Sequence, residues 1–422
     1  MRNKLQRWVV CGLFGSLLLP CQVFASGFGI FTQGATGLGQ GNAVVAHSSG
    51  PSAVYFNPAL VAKEKGTQFE IGTTALFPNR EFTSDATGQS EETEDTVYFP
   101  STLYLTHELQ DGLVLGLGVF SPFGLGTEWP DDWEGRYIAT KSTITTINVN
   151  PMVAYQVTPS LAIAGGVDIL YLDAELNNNI NVPGVPTTPE LDIRQKFTGD
   201  GTGVGFNLGV QYQLSPKISI GAAYRSKITV DIDGEAKFKI PSALLTIEPT
   251  LPYVFPKTDG DGTIDLPQQV VAGISGQLTE RLVMEIGFRW EDWNSFDQLK
   301  IKLDQPVAGA TEVIAPRDWH DTWALTLGGQ YRLNETVTLL GGYLYGQNAI
   351  PDKTFEPAVP DSDTHLFCVG TDLYWNAFKL ALSYAYQLQE DRSKSTNEYG
   401  PIANGDYEND IHLVAASLTY TF

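Results

Sequence analysis

The last twelve residues, 411–422, alternate almost strictly in polarity and end on an aromatic side chain. Successive side chains of a strand point to opposite faces. Val414, Ala416, Leu418, Tyr420 and Phe422 therefore share one face, and Leu413, Ala415, Ser417, Thr419 and Thr421 the other. An apolar face backed by small and polar residues suits a closed barrel with lipid outside and water or ligand inside. One strand of a soluble sandwich can alternate in the same way, so the assignment rests on repetition. In 204–214, Phe206, Leu208, Val210, Tyr212 and Leu214 alternate with Asn207, Gly209, Gln211 and Gln213; in 378–388, Leu380, Leu382, Tyr384 and Tyr386 alternate with Ala381, Ser383, Ala385 and Gln387.

The connections set the strand number. Six short turns, at 109–112, 157–160, 214–217, 278–281, 333–336 and 375–378, carry the Pro, Asn, Asp, Gly or polar residues of tight reversals. Longer polar stretches lie between them, at roughly 80–95, 121–140, 175–199, 232–263, 293–319, 346–364 and 388–408. Outer-membrane barrels show this asymmetry, with short periplasmic turns and long outer loops. Thirteen connections join fourteen strands, so the expected fold is all-β: a fourteen-stranded antiparallel transmembrane β-barrel over residues 67–422.

The other end supplies the compartment. Arg2, Lys4 and Arg7 precede an apolar stretch from Trp8 to Leu19, and Val23-Phe24-Ala25 follows as a small-residue cleavage site, which is the layout of a secretory signal over residues 1–25. Its removal takes away three basic groups and no acidic ones, moving the formal charge from −22 to −25. Such a surface argues against a nucleic-acid partner. Of three cysteines only Cys368 remains, so no intramolecular disulfide is expected. Between Phe367 and Val369 it reads as a small buried hydrophobe.

Continuing the strand parity points Glu70, Glu108, Asp168, Arg225, Lys227, Glu285, Arg289 and Asp372 into the lumen. Charges there either brace the wall as ion pairs or meet a ligand. For a carboxylate ligand, Arg225, Lys227 and Arg289 are the first candidates. Residues 26–66 do not alternate; they are glycine-rich and too few for an independent domain, but enough to fold inside a fourteen-stranded barrel as a plug.

Several motifs then carry a family resemblance. They are Ser26-Gly-Phe, the glycines at 34, 37, 39 and 41, Asn57-Pro58-Ala59, the block from Phe123 through Glu128, Trp129, Pro130 and Trp133 to Tyr137, Asn150-Pro151-Met152-Val153-Ala154-Tyr155, Trp319-His320-Asp321-Thr322 and Pro360-Asp361-Ser362-Asp363. Together they resemble the FadL-type long-chain fatty acid transporters of Gram-negative outer membranes, a family that also includes aromatic hydrocarbon transporters. The resemblance implies an N-terminal hatch (26–66, with Asn57, Pro58 and Ala59 in it) plugging the barrel. It also implies passive uptake of hydrophobic molecules by external capture, transfer to an internal site, hatch rearrangement and lateral exit at a kinked third strand. The C-terminal aromatic matches, by the same resemblance, the signature read by the outer-membrane assembly machinery. Outer-membrane lipids are the expected surroundings, and one barrel suffices as the functional unit.

Two local features fit that mechanism. The third strand has Gly116 and Gly118 on its inward side and Pro122 just beyond, and glycine bends a strand while proline removes a ladder donor. In the long loop after strand seven, Leu244, Leu245, Ile247, Leu251, Tyr253, Val254 and Phe255 concentrate apolar surface that water disfavours by about 25 cal/mol per Å². They are candidates for an external capture groove. A general diffusion porin would need an open lumen, which the glycine-rich plug opposes. An enzyme would need a catalytic set, and the five histidines, His47, His107, His320, His365 and His412, fit no nucleophile or metal-ligand spacing. No cofactor or metal is expected.

Overall fold

The computed structural model describes residues 27–47 and 50–422, so the expected signal segment 1–25 lies outside the described residues. The alternation becomes one antiparallel sheet closed on itself. Its strands are β1 (Thr67–Ser84), β2 (Ser101–Gln110), β3 (Leu113–Phe120), β4 (Lys141–Thr158), β5 (Leu161–Ile180), β6 (Ile193–Ser215) and β7 (Ile218–Arg225, resuming as Ile228–Lys239). They continue as β8 (Thr258–Leu266 and Gln269–Gln277), β9 (Leu282–Glu291), β10 (Thr322–Arg332), β11 (Val337–Gly346), β12 (Thr364–Trp375), β13 (Phe378–Gln389) and β14 (Gly405–Thr421). All fourteen pair with their chain neighbours, and β14 pairs with β1 from Thr421 opposite Gln68 to Gly405 opposite Ser84. Closure removes the unpaired edge that lipid cannot solvate. The last residue completes the seam, where Phe422 N–H donates to Thr67 O at 2.9 Å.

The six short connections fall at the expected turns. Side-chain burial follows the expected faces: Val414 and Leu418 are exposed to the exterior, while Leu413, Ala415, Ser417 and Thr419 are buried. Among the described residues no helix is long and apolar enough to cross a membrane; the strands do so. Parity fails at one predicted lumen cation. Ser226 and Lys227 interrupt β7, the alternation restarts, and Arg225 and Ile228 are both buried while Lys227 is exposed, its Nζ 2.8 Å from Asp265. Lys227 is therefore outside the lumen. Glu108 likewise sits at the turn end of the barrel, 2.8 Å from Lys65.

The described part of residues 27–66 lies within the wall. It comprises two single-turn helices, α1 (Ala35–Leu38) and α2 (Ala53–Phe56), followed by a 3-10 turn at Pro58–Lys63. Leu38, Val54, Ala59 and Val61 are fully buried. What lets backbone approach wall so closely is a set of inward glycines on separate strands: Gly209, Gly221, Gly273, Gly328 and Gly342. A Cβ at Gly209 would stand 2.5 Å from Asn57 Oδ1, and one at Gly273 would stand 2.6 Å from Glu285 Oε1. At Gly221, Gly328 and Gly342 it would overlap the backbone of Val45 or Gln40.

Candidate ligand chamber

Lumen polarity changes along the barrel axis. Level with the N-terminal segment, the inward side chains of β4 to β9 are polar: Asn148, Asn150, Asp168, Asn207, Arg225, Gln269, Glu285 and Arg289. Further toward the long loops, the same strands turn apolar inward, with Leu170, Leu172, Ala174, Val230, Ile232, Ile264 and Leu266 buried in one cluster with Trp293, Phe296 and Trp319. Because a polar group buried without a partner costs about 1–3 kcal/mol, the lower level suits a hydrogen-bonded plug and the upper one an apolar guest.

The lower charges are already engaged. Arg225 is ion-paired with Asp168, which also accepts from Asn148 Nδ2 at 2.7 Å and Asn207 Nδ2 at 3.0 Å. Arg289 Nη2 lies 2.7 Å from Glu291 Oε1. Glu285 accepts the backbone N–H groups of Val45 (2.6 Å), Ala46 (2.9 Å) and His47 (2.9 Å), with His47 Nδ1 at 2.8 Å. Asn57 donates to Val45 O at 2.8 Å and Val210 O at 3.0 Å and accepts from Ala59 N–H at 3.2 Å. Pro58 opens the turn that follows. These residues tie the segment to the wall from several strands at once.

Above them lies a cavity of about 330 Å³, lined by Phe28, Ile30, Leu76, Arg80, Tyr98, Phe123, Leu125, Ile144, Asp361 and Leu413 among others. A smaller apolar pocket of about 60 Å³ shares Phe28, Leu125, Ile144 and Val359 with it, so Phe28 stands between the two. Its ring packs edge-on against Trp293, centroids 4.7 Å apart. Gly27 precedes it at φ 58, where an added Cβ would lie 2.9 Å from the Trp293 ring; glycine meets both constraints. Gly27 N–H donates to Asp361 Oδ2 at 2.8 Å. Burial in the loop base pushes the Asp361 carboxyl up to about 7 despite that bond, and burial with the neighbouring Glu390 charge pushes Asp363 up to about 6.

Along one side the cavity meets a discontinuity in the wall. The β2–β3 ladder ends at Leu103 opposite Val119, and the chain leaves β3 at Phe120 before resuming on β4 as a short strand, Gly124–Glu128. Between Tyr98–Pro100 and Ser121–Phe123, all but Pro122 lining the cavity, no ladder pairing joins the described residues. Gly116 and Gly118 sit in continuous ladder, opposite Thr106 and Tyr104 on one side and Met152 and Asn150 on the other. Their missing side chains make room for Val54 of α2, within 3.1 Å of either would-be Cβ. Pro122 is at the discontinuity itself, and its carbonyl accepts from Ile30 N–H at 2.9 Å.

The loop residues divide. In the two short helices Ser242–Ile247 and Leu251–Val254, Leu244 and Leu251 are buried with Val182 and Ile193, and Phe255 packs beside them. Leu245 is half-buried, while Ile247, Tyr253 and Val254 stay exposed. Arg80 is hidden in the sequence by the polar stretch at 80–95, yet it lies in β1, where parity carried on from Glu70 turns it inward.

The chain matches the family described as outer membrane protein transport protein (OMPP1/FadL/TodX) over residues 16–422. It is 26% identical over 436 residues to a long-chain fatty acid transport protein of Escherichia coli O6:H1, covering 96% of each chain. It is 25% identical to outer membrane protein P1 of Haemophilus influenzae, covering 96% of this chain and 99% of that one. Among solved structures, a Pseudomonas aeruginosa FadL homologue superimposes with a TM-score of 0.83 at 20% identity, covering 94% of this chain and 100% of that one. The Pseudomonas putida toluene transporter TodX does so at 0.71 and 18%, covering 92% and 98%.

Proposed function

The chain belongs to the outer membrane protein transport family, and from that premise we propose that it is a passive uptake channel for long-chain fatty acids or similar hydrophobic molecules. The observation that carries this reading is an apolar cavity that ends where the strand-to-strand ladder of the wall is interrupted and residues 28–30 pair with Pro122–Gly124 instead, above a polar lumen occupied by the N-terminal segment. Exposed Ile247, Tyr253 and Val254, with Leu244, Leu245, Leu251 and Phe255 around them, capture the guest outside. It passes into the chamber around Phe28. Residues 27–66 act as a hatch held by Asn57, Pro58 and Ala59, and Arg225 and Arg289 brace its seat. Shift of the 27–31 end releases Pro122 O and opens the way to the membrane between Tyr98–Pro100 and Ser121–Phe123. Gly116 and Gly118 let the hatch pack tightly below that exit.

Neutral hydrocarbons are the second reading, favoured by the apolar lining of the smaller pocket and by the likeness to a toluene transporter. Deleting residues 243–255 tests the first step. Uptake of labelled oleate by cells should fall several-fold while the barrel still assembles; undiminished uptake would remove the capture role.

A further inference from the structure

We propose that a small pocket between the N-terminal segment and the wall is a binding site for ordered water, through which the segment is joined to β6 and β9. The pocket, of about 50 Å³, is lined by Asn42 and Tyr55 from the segment and by Asn207, Ala223, Arg225 and Arg289 from the wall, among others. Four of these residues keep a buried polar atom that no described residue bonds: Asn42 Oδ1, Tyr55 Oη, Asn207 Oδ1 and Arg289 Nε. Asn207 and Tyr55 are only 1% and 8% exposed, so bulk water does not serve them. Buried polar groups are paired in folded proteins, with ordered water where protein groups do not suffice. Turning the amides gives no escape. Asn207 Nδ2 donates to Asp168 at 3.0 Å and Asn42 Nδ2 to Phe31 O at 3.0 Å, which fixes each carbonyl oxygen as the atom left over. Tyr55 Oη stands beside the Arg289 guanidinium but outside bonding geometry, a spacing that a bridging water closes.

The four atoms select the ligand by chemistry. Two carbonyl oxygens require a donor, and the Arg289 Nε–H requires an acceptor. A metal or ammonium ion cannot accept from Arg289, and an anion cannot donate to Asn42 or Asn207. Charge draws in neither, because Arg225 is already paired with Asp168 and Arg289 with Glu291. Water both donates and accepts, and it fits: one molecule needs roughly 10–15 Å³ of such space, so the pocket takes about three. The apolar pocket of about 60 Å³ beside Phe28 is slightly larger, yet side chains such as Leu172, Ile232 and Ile264 give water nothing to bond, and it stays dry. A segment held to β6 and β9 through water can part from them while each of these groups keeps a partner.

X-ray radiolysis of the full-length protein in detergent tests the site, because a bound water split into hydroxyl radical oxidises the side chain beside it. Tyr345 is the reference, matched in residual exposure at 9% but with its hydroxyl given to Asp363. Tyr55 should be oxidised several-fold faster than Tyr345. Ala223→Leu, which fills the pocket from the inward face of β7, should bring Tyr55 down to the Tyr345 rate in a barrel that stays heat-modifiable. A crystal structure should show water within hydrogen-bonding distance of Asn42 Oδ1 and Asn207 Oδ1 and none in the apolar pocket. Equal oxidation of Tyr55 and Tyr345 in wild type, oxidation of Tyr55 untouched by Ala223→Leu, or a pocket that is dry or closed by direct bonds among the four groups overturns the proposal. The wild-type comparison and the crystal structure decide the matter even where the leucine variant fails to fold.

Discussion

Asn57 does with one buried amide what the surrounding residues do with many. Its two donor bonds reach the segment's own Val45 and the wall's Val210, so Asn57→Ala removes both and should cost about 1–3 kcal/mol. In planar bilayers the variant should show more frequent conductance bursts than wild type; an equally quiet channel would mean that the amide does not hold the hatch. Asp361 gives a pH dependence. Its carboxyl is raised to about 7 by burial, against about 3.9 in an unfolded chain. The native state therefore binds the proton more tightly, and the stability so gained is full below pH ~4 and lost as pH rises through ~7. Hydrogen exchange in 347–363 should quicken between pH 5 and 8, and Asp361→Asn should flatten that profile. At this scale the sequence was readable where a motif marked the residue, as with Asn57. It misled where backbone irregularity reset parity, as at Lys227, and where a strand ran past its polar boundary, as at Arg80.

The strands themselves were legible because lipid enforces alternation. Their outer ends were not: β5 runs to Ile180 and β6 starts at Ile193, well inside a stretch the sequence presented as loop. Beyond the lipid the outward face turns polar, as at Asp173, Glu175 and Asn177, while Leu172 and Ala174 between them stay buried inward, so the sense of the alternation inverts although the ladder continues. The glycine seat was invisible for a related reason, since a missing side chain has no polarity to alternate. It yields a paired prediction. Gly328→Ala puts a methyl group onto Gln40 O, whereas a Cβ at neighbouring Gly341 meets nothing within 4 Å. The first variant should still give a heat-modifiable barrel but expose residues 27–66 to protease, and the second should behave as wild type. Equal protease resistance in both would show that the hatch does not depend on this seat.

For the molecule as a whole, the seam is the decisive joint. Removing Phe422 deletes one backbone bond to Thr67 and a largely exposed ring. The refolded protein should lose only about 1 kcal/mol in denaturant titration, while its yield in the outer membrane should drop many-fold; equal yields would exclude a signalling role for the terminal aromatic. The interior has an order of construction as well. Ala35 near the chain's start donates from its N–H to Ser417 Oγ at 3.1 Å and accepts at its carbonyl from Ser383 Oγ at 2.6 Å, so its berth is built by the last two strands to be made. The earliest described residues to emerge must wait, unseated, for almost the entire chain. Time, not only space, keeps them apart from their destination, and a stalled or truncated product would leave them loose in the periplasm as a handle for proteases.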